Sequence, residues 1–122
     1  MRKYIQSNLK EIKTIKCGPF VPDSIIENGT TYFGYQLQSD YVQSDFDNNY
    51  EMRASLLGFV TRKENTNEDT LQIVDDAKEE IIQVLKKMNF KTSYKDVSLE
   101  NGIRKIQITA NAKYNDKFKK LI

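Results

Sequence analysis

The side chains of this sequence that offer the most obvious chemistry are carboxylates. Asp40, Asp45 and Asp47, followed by Asn48 and Asn49, present the oxygen donors that calcium takes. The stretch has no loop with the ligand spacing, central glycine and closing bidentate glutamate of a calcium site, so these residues read as a solvated loop or a subunit contact. Asp75, Asp76, Glu79 and Glu80 form a second acidic group, placed where a helix turns its outer face to water, and read as solvation and complementation of the helix dipole. The chain has no histidine, which removes the commonest general base, the usual nucleophile-base pairs and histidine-containing zinc sites. Its single cysteine, Cys17, allows no internal disulfide and no thiolate cluster, and reads as a small apolar residue beside the Gly18-Pro19 turn. The five glycines are scattered singly and form neither a Walker loop nor a dinucleotide fingerprint. Arg104, Lys105 and Lys113, placed on the polar face of the last long strand, are too few for a nucleic-acid-binding stripe. The expectation is therefore a non-enzyme with no catalytic residues, no cofactor and no metal.

The elements that would position any site centre on residues 52–111, which supply most of the apolar surface. Leu71, Val74, Ala77, Ile81, Leu85 and Met88 recur at steps of three and four, widened by Ile73, Ile82 and Val84, and predict a helix over about 67–89. Thr66 or Asn67 would cap it, Glu68 and Asp69 would sit at its positive end, and Asn89 would stop it in a left-handed conformation. The outer face would carry Asp75, Asp76, Lys78, Glu79, Glu80, Lys86 and Lys87. Residues 52–62 alternate, but both alternating sets hold apolar residues at the middle, which predicts a central strand covered on both sides there. Residues 90–97 and 103–114 read as a hairpin joined by residues 98–102, because Asn101-Gly102 accepts positive φ at both positions. Ile106, Ile108, Ala110, Ala112 and Tyr114 would face the helix.

Nearer the start, Tyr4, Ile5, Leu9, Ile12 and Ile15 predict a short helix over about 2–16 that packs on the sheet. Residues 17–23, with two prolines, read as a rigid loop, and residues 30–38 as the first strand. The fold class expected is α+β: one domain over residues 1–122, with an about four-stranded, mostly antiparallel or mixed sheet packed by the two helices. Residues 39–50 are polar yet hold Tyr41, Phe46 and Tyr50, and form either a mobile loop or a long hairpin arm that orders against a partner. At the end of the sequence, Phe118, Leu121 and Ile122 either close the edge of the core or dock on a neighbouring subunit.

With a formal charge of +2, the chain gives no global electrostatic case for nucleic acid or an anionic membrane. The charge is uneven instead. Both ends are basic and residues 40–51 are acidic, poles that suit head-to-tail packing of copies. No apolar run is long enough to span a bilayer, and no secretory leader is recognisable, so assembly in a cytoplasm is expected.

The order of elements resembles the tail terminator (tail completion) proteins of tailed bacteriophages and related tail-like particles. The likeness rests on a short first helix, a proline-containing loop, a strand of the type Tyr32-Phe33-Gly34-Tyr35-Gln36-Leu37 and a polar excursion. It continues through a strand leading into a long helix that ends Val84-Leu85-Lys86-Lys87-Met88-Asn89-Phe90, and a closing hairpin through Asn101-Gly102. The resemblance implies a structural virion protein, encoded by a phage or prophage, that forms a ring, commonly of six copies, on the last ring of the tail tube. Such a ring stops tube growth and presents a surface to the head or neck. Its implied partners are further copies of itself, the tail tube protein and a head-tail connector or neck protein, with no membrane or specific nucleic acid. The resemblance supplies no residue-level motif. The assembly contacts expected here are Tyr41, Asp45, Phe46, Asp47, Tyr50, Phe118, Leu121 and Ile122. Two alternatives remain open from the sequence: a head-tail connector or neck protein, and a small monomeric or dimeric binding module of antitoxin or immunity type.

Overall fold

In a computed structural model, the structure describes residues 2–22, 26–27, 29–43, 50–65, 67–100, 102–115 and 120–121. The elements in order are α1 (Arg2–Lys10), β1 (Lys16–Pro19), β2 (Tyr32–Gln43), β3 (Tyr50–Lys63), α2 (Thr70–Lys87), β4 (Lys91–Glu100), β5 (Ile103–Asn115) and β6 (Lys120–Leu121). One mixed sheet joins all six strands in the order β1-β2-β3-β5-β4, with β6 paired to β5. Only β1 and β2 are parallel neighbours, and the other pairs are antiparallel. The connection from β3 through α2 to β4 steps over β5, so β3 and β4 run the same way with β5 reversed between them. The α+β class is as expected, with more strands than the four the sequence suggested.

The core lies between the sheet and the two helices. Phe33, Ala54, Leu56, Val60, Ile106, Ile108 and Ala110 from the sheet meet Ile5 and Leu9 of α1 and Val74, Ala77, Ile81, Ile82 and Leu85 of α2. These positions repeat every second residue on strands and every three or four on helices, which is how each element closes one face. The helix end is a Schellman arrangement: Asn89 adopts φ 68°, its amide donates to the Lys86 carbonyl, and the Phe90 amide donates back to Leu85. Phe90 and Leu85 are both buried, the apolar contact that accompanies this cap.

Several expectations are corrected. The long helix spans residues 70–87 and is capped by Asp69, whose carboxylate accepts from the Gln72 amide at 3.2 Å, rather than by Thr66 or Asn67. Glu68 precedes the helix and is drawn to Arg62 instead. Leu71, assigned to the buried stripe, is 61% exposed, and Lys78, assigned to the outer face, is buried. The first helix ends at Lys10. Inside it, Ser7 and Asn8 side chains donate to the carbonyls of Lys3 and Tyr4, the back-bonding that weakens a helix, and tighter bonds from Glu11 and Ile12 close it. Ile15 still reaches the core from the turn that follows.

Residues 17–19, expected as loop, belong to an edge strand. Pro19 is tolerated there because an edge position leaves its missing amide without a ladder to break. Within the excursion over residues 39–50, residues 39–43 and Tyr50 are strand, since β2 and β3 stay in register from Tyr32↔Thr61 to Gln43↔Tyr50, and residues 44–49 lie outside the described residues. The β4–β5 connection is shorter than residues 98–102, since β4 continues to Glu100 past an irregularity after Val97, and Gly102 takes φ 73° at the turn.

Candidate assembly surface

Register places the expected contact residues. Tyr41 pairs with Met52, Met52 with Tyr114, and Tyr114 with Leu121, so one cross-sheet row joins the β2–β3 hairpin to β6, with Tyr50 two residues beyond it. Tyr41, Tyr50 and Leu121, distant in sequence, thus share one end of the sheet. Asp45, Phe46, Asp47, Phe118 and Ile122 lie outside the described residues. Lys120 and Leu121 pair with Asn115 and Tyr114 of β5 through the backbone.

A second surface was missed. The face of the sheet turned away from the helices carries the rows Gln36, Leu57, Thr109, Ser93 and Gln38, Ser55, Asn111, Lys91. Ser55 donates to the Asn111 side chain and Ser93 shares a hydrogen bond with Thr109, a polar face that matches the alternation read in β5. Arg53, Lys91, Lys95 and Lys105 stand on this face, and register pairs Asp40 with Arg53 there. Leu57 lies near its centre, 37% exposed. The sequence showed only part of this set, because Arg53 and Lys105 are 52 residues apart in number and share a face only through β3–β5 pairing. Arg104 does not belong to it: its side chain lies on the helix side and donates to Asp96 and to the Val97 carbonyl.

The segment after β1 covers one end of this face. Phe20 tilts against Phe59 at 5.7 Å between ring centres, and Phe20, Val21, Ile26, Phe59 and Lys105 help to line a cavity of about 180 Å³. β3 is therefore covered on both sides at Phe59, whereas Leu57, the other apolar residue of that alternating set, is exposed, so the predicted double cover holds only at one end of the middle stretch.

On the helix side the charges are organised into pairs. Arg62 grips Glu68 with two bonds of 2.9 Å and donates to Thr31 at 2.8 Å, tying the end of β3 to the approach to α2. This bidentate hydrogen bonding holds the Glu68 carboxyl below its ordinary range. Lys78 lays its stem over the layer and brings its ammonium 3.0 Å from both Asp75 and Glu79 and 4.0 Å from the centre of the Tyr94 ring. Burial acts to lower its pKa, but the hydrogen bonds to Asp75 and Glu79 outweigh it and the net direction is up. Cys17 is half-buried, and desolvation pushes its thiol up to about 11. It is a protonated thiol at neutral pH, poorly suited to attack.

Among the described residues, no group of three or more histidine, cysteine, aspartate or glutamate side chains is placed to hold a metal ion. No described helix is long and apolar enough to cross a membrane. The chain matches no protein-family model and no curated protein.

Proposed function

We propose that this chain is a non-enzymatic assembly protein of the tail-terminator type, which closes into a ring on the end of a phage tail tube, stops its growth and offers a surface to the head or neck. The observation that carries the reading is the row Tyr41, Met52, Tyr114, Leu121, which gathers the hairpin arm and the returning β6 at one end of the sheet. An arm formed by two strands in continuous register, flanked by a short returning strand, suits docking through backbone pairing. The layout of elements along the chain supports the phage assignment, and the mechanism needed is self-association followed by capping.

The test is the native mass, by light scattering during size exclusion at low and high protein concentration, with and without purified tail tubes. A closed oligomer near six copies, free or formed on the tubes, is the expected result. A monomer or dimer indifferent to concentration and to tubes would overturn it and favour the binding module.

A further inference from the structure

We infer that two copies of this chain join edge to edge through β4, as an antiparallel pair centred on Tyr94, so that one sheet continues across both. The contact is separate from the ring proposed above and does not depend on it. β4 ends the strand order, and among the described residues it pairs only with β5. Every second residue of such a strand turns its amide and carbonyl away from the sheet, where a further strand can take them. The opposite edge is guarded: β1 pairs for four residues and stops at Pro19, and the segment after it crosses the sheet face to Phe59. β4 holds neither proline nor glycine, pairs regularly from Lys91 to Val97, and leaves Lys91, Ser93, Tyr94, Lys95 and Asp96 exposed.

A second β4 is the occupant because the charges on this edge permit one self-pairing register. Directly opposed residues share a face of the sheet, so a two-fold antiparallel pair is centred on a single residue. Centred on Ser93, it sets Lys91 against Lys95 of the other copy; centred on Lys95 or Asp96, it sets that charge against its own equivalent. Like charges directly opposite are destabilising. Centred on Tyr94, it sets Thr92 against Asp96, Ser93 against Lys95 and Lys91 against Val97, and no like charges are opposed. This register uses the whole regular stretch and ends where the ladder becomes irregular after Val97, whereas centres nearer either end leave most of that stretch unpaired. Tyr94 is 56% exposed and carries the Lys78 ammonium 4.0 Å from its ring centre. At the two-fold, the two Tyr94 side chains stand with Cβ atoms about 4.5–5.5 Å apart, so each ring is covered by its mate. The lysines fall on the other face, diagonal to one another at about 7–8 Å, where salt screens them. Added salt is therefore expected to tighten the pair. Being two-fold, the contact closes at two copies.

The experiment uses the full chain with Cys17→Ala, adding Tyr94→Cys in one variant and Lys91→Cys in another, each treated with a short bis-maleimide. Tyr94→Cys is expected to cross-link to a dimer. Lys91→Cys is not, because in this register its two copies stand about 20 Å apart along the strands. In parallel, Thr92→Glu is expected to weaken the wild-type dimer several-fold and Thr92→Lys to tighten it, since each faces Asp96 of the other copy, read by light scattering over a range of concentrations. Circular dichroism checks that the variants fold, and the Thr92 pair decides if Tyr94→Cys does not. A wild type that is monomeric at every concentration, Tyr94→Cys linking no better than Lys91→Cys, or equal effects of Thr92→Glu and Thr92→Lys would each overturn the contact. A ring on tail tubes without the Tyr94→Cys cross-link would strike this contact alone, and a cross-linked dimer indifferent to tubes would strike the ring alone.

Discussion

At the scale of single residues, the tightest constraint in the sheet is Gly58. A Cβ placed there would stand 2.5 Å from Cε1 of Phe33 and 2.9 Å from Cβ of Tyr35. Phe33 is fully buried against α1 and α2 and stacks on Tyr35, so its ring has nowhere to retreat. Gly58→Ala is therefore expected to destabilise by about 1–3 kcal/mol through overpacking, read as a lower thermal midpoint with unchanged secondary structure. Lys78 gives the opposite lesson. Its long stem is covered while its ammonium reaches two carboxylates and a ring, so a residue that periodicity assigns to water lies in the packed layer. Leu71, assigned by the same periodicity to the core, lies in water because Asp69 starts the helix only two residues before it.

At the scale of elements, the joint between β3 and α2 depends on Arg62 and Glu68. The folded-state pKa of Glu68 lies below its ordinary 4.5, so the stability this pair contributes is fully present above about pH 4.5 and is lost as pH falls through the lowered value. Glu68→Gln is expected to lower the midpoint of denaturant unfolding at pH 7, with the gap from wild type closing under strongly acid conditions. A gap that stays constant with pH would assign the effect to packing alone. The helices and the closing hairpin were legible because their apolar periods and the Asn101-Gly102 turn are local signals. β1 was not, since a four-residue strand containing Gly18 and Pro19 is defined only by the partner that pairs with it. The outer part of the hairpin, residues 39–43 and 50–51, was legible only as one of two alternatives, because a polar stretch suits a loop as well as a strand.

At the scale of the molecule, the candidate residues were chosen by composition, as aromatics on a polar background and apolar residues near the chain end. The sequence carried no sign that Tyr41, Tyr50 and Leu121 would share one sheet end, because that depends on the register of β3 with β5 across α2 and β4. The basic face was hidden for the same reason. Asp45→Lys combined with Asp47→Lys reverses the charge of the connection between β2 and β3, and is expected to abolish assembly on tail tubes while circular dichroism stays native. Unchanged assembly would remove that connection from the contact.

The placement of β5 bears on how the protein is made. β5 is the innermost partner of both β3 and β4, yet it follows both in the chain, with Met52 pairing to Tyr114. Until residues 103–115 have been synthesised, β4 has no neighbour, one edge of β3 is open, and the apolar sides of α2 and β2 face an incomplete wall. Closing such a long-range pairing is slow compared with local hairpin and helix formation. Folding thus waits until β5 has been made, and a chain cut short before β5 is an aggregation hazard rather than a partial subunit. Any assembly that recruits only finished sheets would exclude such fragments without a separate inspection step.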